Sequence, residues 1–168
     1  MTPSHILSID PGLSGAFALL EVQSKKVLAI WDMPTDQGQV SPSGVAEIVE
    51  MAKFMVGPQG RLVGAVELVS SMPRQAGAFN FGRSAGVVHG VLGALQIPFE
   101  MIPASVWKPA CGLRKGLNES QADNKTRARE LASRLWPEHA AEFAKVKFDG
   151  KAEACLISRH AANRMETK

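Results

Sequence analysis

The protein has 168 residues, a formal net charge of +3, 45% hydrophobic residues and 21% charged residues. These values are typical of one globular domain, which we assign to residues 1–168. No apolar run approaches the ~20 residues that span a bilayer. The first residues also lack the basic and apolar regions of a signal peptide, so we expect no membrane association and a cytoplasmic location.

The cysteines do not indicate a metal or redox site, whereas the distribution of basic residues favours a negatively charged partner. Cys111 and Cys155 have no metal-binding or redox spacing, and we expect both to be buried free thiols. Residues 1–100 contain six Lys or Arg against eight Asp or Glu, whereas residues 101–168 contain thirteen against eight. Modest net charge often serves solubility, but basic residues concentrated in one part of a chain favour a polyanionic partner such as nucleic acid.

The first third of the chain predicts three consecutive strands and one helix. A buried strand at residues 6–9 leads into a Pro-Gly turn after Asp10, and residues 15–22 are typical of its hairpin partner. Residues 26–33 predict the third strand. A loop rich in Pro, Gly and Ser follows, and the i, i+3, i+4 spacing of apolar residues then predicts a helix at 45–55.

Strands and helices alternate in the remainder. Two strands are predicted, at 61–69 and 98–102, and between them a loop at 71–84 runs into an apolar helix. This order predicts an α/β protein with a mixed five-stranded sheet, whose first three strands form an antiparallel meander, flanked by helices. The helices predicted in this part lie at 85–96, 103–112, 119–136 and 150–163.

Three carboxylates lie in apolar surroundings that are unfavourable for a charge. Asp10 ends the first strand, Glu67 lies late in the fourth strand, and Glu153 shares a helix face with Leu156 and Ile157. Burying an ionised carboxylate is costly unless a cation compensates for the lost hydration. Three such positions in one chain indicate a shared purpose.

Each acid also has an ordinary structural interpretation. Asp10 suits a turn before Pro-Gly, Glu67 could face solvent from a half-buried strand, and Glu153 could pair with a basic neighbour. A fourth acid, Asp149, is typical of a helix N-cap. It also lies four residues before Glu153, a spacing that places both side chains on the same face of a helix. If all four converge, they form an oxygen-rich site for one or two Mg²⁺ ions, which can activate a water for phosphodiester hydrolysis.

Three segments, in this order, resemble the RuvC-type Holliday junction resolvases of the ribonuclease H-like superfamily. The first is "ILSIDPGLSG", the second is "VELVSSMPRQAGAFNFGRSAGVVHGVLGAL", and the third is "FDGKAEACLIS". Their order and spacing match the family over nearly the whole chain. The "GKAEA" sequence is more similar to the phage-encoded branch than to the bacterial housekeeping enzymes.

The resemblance implies a ribonuclease H-like fold and a structure-selective endodeoxyribonuclease. It makes Asp10, Glu67 and Glu153 catalytic metal ligands, with Asp149 as the fourth. It further implies two Mg²⁺ ions per site, replaceable by Mn²⁺, and a homodimer on four-way DNA junctions that leaves 5′-phosphate and 3′-hydroxyl ends. It also implies a location in the cytoplasm of a bacterium or of a phage-infected host cell.

The sequence departs from the housekeeping pattern in two places. The terminal acids of that pattern are two aspartates three residues apart, whereas here position 150 is Gly and the last acid is Glu153. The family also has an aromatic residue three positions after the strand-four Glu, where this chain has Ser70. Phe79 or Phe81 could stack on DNA instead, although we expect "AFNF" to pack in the core.

Basic residues complete the resemblance. Lys108 and Lys125 occupy positions where the family contacts backbone phosphates, and such contacts position a duplex without reading its bases. Each of these residues could equally be a solvated surface charge. The predicted DNA-binding residues are Arg74, Arg83, Lys108, Arg114, Lys115, Lys125 and Arg127.

Other functions remain compatible with parts of this sequence. A ribonuclease H-like nuclease acting on other branched DNA or on RNA would use the same metal centre. A protein that binds branched DNA without cutting would not need every acid. "DPGLSG" also resembles the first phosphate loop of actin-like ATPases and sugar kinases, but those proteins need two lobes and a second glycine-rich loop.

Overall fold

The computed structural model describes residues 3–68, 77–146 and 149–166. The strands and helices of these residues follow the predicted order, with two short strands added after the third strand and a short helix added before the last one. The strands are β1 His5–Asp10, β2 Ala16–Glu21, β3 Val27–Asp32, β4 Thr35–Asp36, β5 Gln39–Val40, β6 Leu62–Leu68 and β7 Phe99–Pro103. The helices are α1 Pro42–Val56, α2 Ala78–Ala94, α3 Ala104–Ala110, α4 Gln121–Leu135, α5 Ala140–Phe143 and α6 Asp149–Glu166, with a 3₁₀ turn at Pro137–His139.

Five strands form one mixed sheet in the order β3-β2-β1-β6-β7. The first three strands are an antiparallel meander, and β6 and β7 run parallel to β1. The sheet has helices on both faces, which is the predicted α/β class. The register places Ile9 opposite Val66, so β1 and β6 end side by side at one edge of the sheet.

Two apolar cores lie on the two faces of the sheet, because successive side chains of a strand point to opposite faces. In β1, Ile6 belongs to the core beneath α3, α4 and α6, whereas Leu7 and Ile9 belong to the core beneath α1 and α2. Helix α6 is buried along most of its length, since it packs on β1 and β2 and also against α4. This packing holds the first turns of α6 beside the end of β1.

The structure differs from the prediction in the segment before residue 85. Helix α2 begins at Ala78, within the predicted loop. Ser84 makes this extension possible because it is buried one turn before Val88, on the stripe that Leu92 continues. Its hydroxyl donates to the Asn80 carbonyl at 3.0 Å, so the buried polar group is satisfied inside the helix.

The loop predicted after β3 contains a hairpin, β4–β5. Its turn residues Gln37 and Gly38 have φ values of 48° and 74°, which is the pair of positive φ angles that a tight hairpin turn needs. Cys155 is buried as expected, while Cys111 is only partly buried; both thiols are free. Among the residues described, no helix has the length and hydropathy needed to cross a membrane.

Candidate active site

Asp10 stands at the end of β1, where the chain turns sharply toward β2. Its Oδ1 accepts a hydrogen bond from the Gly12 N–H at 3.3 Å. The turn is tight: a Cβ at Gly15 would lie 2.0 Å from the Asp10 carbonyl oxygen, so only glycine fits there. Asp10 is therefore a turn residue whose carboxylate is also held at the edge of the sheet.

Glu67 reaches the same edge from the neighbouring strand. It follows Val66, the register partner of Ile9, and is thus level with Asp10. The parallel pairing of β1 and β6 has the geometric consequence that their carboxyl ends meet. The two carboxylates are 57 residues apart in sequence and adjacent in the sheet.

Glu153 approaches from α6, and two close contacts fix that helix. The Ser8 hydroxyl of β1 lies 2.6 Å from the Ala154 carbonyl oxygen, to which it donates from within the core. At Gly150, an added Cβ would lie 2.5 Å from the Ser14 carbonyl oxygen and 2.8 Å from Gly15 Cα. The beginning of α6 therefore packs backbone against backbone on the β1–β2 turn, which brings Glu153 to Asp10.

The three carboxylates converge. Among the residues described, Asp10, Glu67 and Glu153 form a group in which one oxygen of each lies within 4.8 Å of the others. All donors are carboxylate oxygens, the ligands that Mg²⁺ and Mn²⁺ prefer, and none is a thiol or imidazole. The residues therefore fit a hard divalent cation.

The electrostatics of the group show why a cation would be favourable there. Burial, together with the nearby Glu153 carboxylate, raises the pKa of Asp10 to about 6. Burial, followed by repulsion from Asp10 and Glu153, raises the pKa of Glu67 to about 7. The ionised form of both acids is thus unfavourable in the folded protein, and a bound cation would stabilise it.

Helix α3 brings two protein groups to these acids. Lys108 Nζ lies 2.7 Å from Glu153 Oε1, and the Trp107 indole N–H donates to Glu67 Oε1 at 3.2 Å. The charges of Lys108 and Lys125 also act on Asp10, where they lower the pKa and partly offset the effect of burial. In this structure, lysine side chains supply part of the positive charge that the acids need.

Asp149 lies at the start of α6 but outside the three-acid group. Its two oxygens are 3.4 Å from Lys125 Nζ and 3.3 Å from an Arg129 Nη1. Both Asp149 and the Arg129 side chain are largely buried, so this contact ties α4 to the start of α6. The role of Asp149 as a fourth metal ligand stays a prediction, and it would require the carboxylate to leave these cations.

The predicted DNA-binding residues do not all lie on one surface. Arg114, Lys115 and Lys108 line one groove, of about 410 Å³, beside the carboxylates. Arg83 lines a separate groove between α2 and the β4–β5 hairpin. Arg74 lies outside the described residues.

Arg127 is held by several hydrogen bonds within the protein. Its guanidinium donates to Glu119 at 2.7 and 2.9 Å and to the Gly112 carbonyl at 2.7 Å. These bonds hold the loop between α3 and α4, and that loop carries Arg114 and Lys115. Its DNA contact stays a prediction.

The aromatic residues at the start of α2 have different surroundings. Phe79 is 80% exposed, so its expected core packing is wrong. Phe81 is partly buried, and its ring edge would lie 3.4 Å from a Cβ at Gly12, in the turn after Asp10. Ser70 lies outside the described residues.

Sequence reasoning missed two residues that hold the acids in place, Ser8 and Trp107. Ser8 could have been recognised from the sequence, because it is a polar residue inside the apolar run "ILSI". Trp107 could not, since a tryptophan in an amphipathic segment is typical of any core.

Comparisons with known proteins bear on the fold. No protein-family model and no curated protein matches the chain. Among solved structures, Thermus thermophilus RuvC in complex with a Holliday junction substrate matches at 16% identity and a TM-score of 0.65, covering 97% of each chain. The protein has the fold of RuvC. A second Thermus thermophilus RuvC structure matches at 18% identity and a TM-score of 0.59, again over 97% of both chains.

The RuvC fold confirms the predicted fold class and, at the level of fold, the resemblance to RuvC-type resolvases. The mixed sheet of five strands and the helices on its two faces agree with the expected ribonuclease H-like architecture. At 16–18% identity this likeness shows the fold alone.

Proposed function

We propose that the protein is a Mg²⁺-dependent endodeoxyribonuclease that resolves four-way DNA junctions as a homodimer. The observation that carries this proposal is the convergence of Asp10, Glu67 and Glu153 at one edge of a RuvC-like sheet, with one oxygen of each within 4.8 Å. Lysines and arginines beside that edge fit a phosphodiester substrate. A phage-like branch and a cytoplasmic location remain predictions.

The three acids would hold two Mg²⁺ ions, for which Mn²⁺ would substitute. Ions bound there would supply activation of a water and stabilisation of the leaving 3′-oxygen, so that the products carry 5′-phosphate and 3′-hydroxyl ends. Asp10, Glu67 and Glu153 would each supply carboxylate oxygens to these ions.

Lys108 has a role that follows from its contact with Glu153. A cation bound by Glu153 would compete with Lys108 for this carboxylate. Lys108 also lines the groove that contains Arg114 and Lys115, so its ammonium group would be available there to a backbone phosphate.

The homodimer is supported by the surface of α2. Four glycines, at 82, 86, 90 and 93, lie on exposed parts of this helix, and a Cβ at each would meet no atom within 4 Å. A second copy of the helix could approach such a surface closely. A two-fold dimer would match the two equivalent strands that are cut in a four-way junction.

The proposal for Asp149 as a fourth ligand has its own test. We expect Asp149→Asn to weaken Mn²⁺ binding and cleavage by about 10–100-fold, the loss typical of a partner in a metal site. The control is Arg129→Gln, which breaks the same ion pair without removing an acid. Titration calorimetry with Mn²⁺ measures both; equal metal affinity in Asp149→Asn and wild type would remove Asp149 from the site.

The proposed activity is tested with a synthetic four-way junction, a linear duplex of the same sequence and the corresponding single strands. In Mg²⁺ we expect paired, symmetrically placed nicks in the junction alone, and none in EDTA. Each nick should be religated by DNA ligase, which needs a 5′-phosphate beside a 3′-hydroxyl. Equal cutting of linear duplex, or cutting of RNA strands instead, would favour a different ribonuclease H-like nuclease, and junction binding without cutting would indicate a binding protein.

A further inference from the structure

The first turns of α3 contact two of the three acids from consecutive positions. Trp107 is fully buried, with 0% exposure, and its indole N–H donates to Glu67 Oε1 at 3.2 Å. Lys108, the next residue, contacts Glu153. Its Nζ also lies 5.1 Å from the centre of the Trp107 ring, a distance at which a cation is attracted to an aromatic face. The indole is thus in contact with an acid and with the cation that neutralises another acid.

Trp107 is fixed by the core that surrounds its ring. The ring belongs to the core beneath α3 and α6, together with Ile102 and Leu113. Ile102 is the register partner of Glu67 across β6 and β7, and α3 begins directly after β7. The position of the indole relative to Glu67 is therefore set by one strand pairing and one short connection.

The chemistry of the indole N–H suits a positioning role. It is a donor only, does not titrate in the physiological range and cannot ligate a metal ion. A donor on Oε1 restricts rotation of the Glu67 carboxylate and leaves the lone pairs of the second oxygen available. Such a bond orients an acid toward a cation without competing for the cation.

We propose that Trp107 is a positioning residue that orients Glu67 for metal binding. This inference rests on the proposed metal-dependent function, since it assigns Trp107 a role in that same site. It predicts that the indole N–H, rather than the bulk of the ring, determines how tightly the metal ion is held.

The test is the Mn²⁺ affinity of Trp107→Phe, measured by titration calorimetry without DNA. We expect binding about 10–100-fold weaker than in wild type. The matched control is Trp136→Phe, which also removes a buried indole and its hydrogen bond, here to the Lys25 carbonyl at 2.9 Å. Lys25 follows β2, at the opposite end of the sheet from Asp10, so Trp136→Phe should bind Mn²⁺ as wild type does.

Two further measurements separate orientation from loss of packing. Benzothienylalanine at position 107 keeps the two-ring shape and lacks the N–H. We expect it to weaken Mn²⁺ binding as Trp107→Phe does, while its melting temperature falls less than that of Trp107→Phe because the packing of the ring is kept. In a Glu67→Gln background, Trp107→Phe should cause no additional loss, because its effect acts through Glu67.

The outcomes distinguish this inference from the proposed function. Wild-type Mn²⁺ affinity in the benzothienylalanine protein would overturn the role of Trp107 and leave the metal site intact. An equal loss in Trp136→Phe and Trp107→Phe would also overturn it, since the loss would then come from weakened packing. Absence of Mn²⁺ binding by the wild-type protein would instead overturn the proposed metal site itself, and the role of Trp107 with it.

Discussion

Replacing Glu67 with Gln is expected to lower the rate of junction cleavage by at least ~100-fold. The reason is that an amide keeps the size of the side chain but lacks the charge that a metal ligand needs, and even a residue that only supports a ligand is worth about 10–100-fold. Junction affinity in EDTA should stay within about twofold of wild type, because Glu67 carries no positive charge toward a phosphate. Single-turnover cleavage in Mg²⁺ and gel-shift titration in EDTA measure the two effects.

A matched control is Glu100→Gln, which makes the same chemical change on the adjacent strand β7. Glu100 lies at the surface, where it accepts a hydrogen bond from Arg164 at 3.2 Å, and is not one of the three converging acids. We expect this variant to cleave at the wild-type rate. Normal cleavage by Glu67→Gln would show that the site has been assigned wrongly.

The same Glu67→Gln variant should be more stable than wild type when no metal ion is bound. The pKa of Glu67 is raised to about 7, so the folded protein disfavours the charged carboxylate. Above pH 7 this carboxylate is ionised in both states and reduces the free energy of unfolding, on the order of 1–3 kcal/mol. As the pH falls through 7, the folded state gains a proton before the unfolded state does, and the cost disappears.

Urea unfolding in EDTA measures this effect. The difference between Glu67→Gln and wild type should be greatest at pH 8 and should vanish only below about pH 4, where Glu67 is protonated in both states. Saturating Mg²⁺ at pH 8 should stabilise the wild-type protein more than the variant. A constant difference across this pH range would contradict the electrostatic explanation.

Replacing Gly150 with Ala is expected to reduce both stability and cleavage. The new Cβ would lie 2.5 Å from the Ser14 carbonyl oxygen and 2.9 Å from the Gly15 carbonyl carbon. Both are backbone atoms, so α6 must move away from the β1–β2 turn. Overpacking of this kind typically costs about 1–3 kcal/mol, which for a protein of this size lowers the melting temperature by roughly 2–12 °C.

The displacement would also separate Glu153 from Asp10, because one residue moves with α6 and the other is fixed by the turn. A misplacement of ~1 Å in an active site can reduce the rate about 100-fold. The control is Gly116→Ala, where the nearest atom to the added Cβ is the Glu119 Cβ at 3.7 Å. That variant should unfold at the wild-type temperature, since the added methyl group makes only an ordinary van der Waals contact. Thermal unfolding and single-turnover cleavage distinguish the two; wild-type behaviour of Gly150→Ala would contradict the close packing at this turn.

The five strands of the main sheet and the acids that lie in apolar segments could be predicted because their signals are local. Apolar runs bounded by turn residues mark β1, β2, β3, β6 and β7, and a carboxylate inside such a run is visible without a structure. Asp10, Glu67 and Glu153 each interrupt an apolar segment. The start of α2 and the β4–β5 hairpin were missed, because a buried serine and a Gln-Gly turn resemble ordinary loop composition.

The sequence by itself determined which acids lie in apolar surroundings and in which order the strands follow one another along the chain, since both depend only on the local residue pattern. Only the tertiary structure decided what surrounds each acid. The contacts of Trp107 with Glu67 and of Lys108 with Glu153 join residues 40 and 45 positions apart, and the pairing of Asp149 with Arg129 joins α6 to α4. Such contacts depend on how the two cores pack against the sheet, and the periodicity of a single segment contains no information about the segment that it meets.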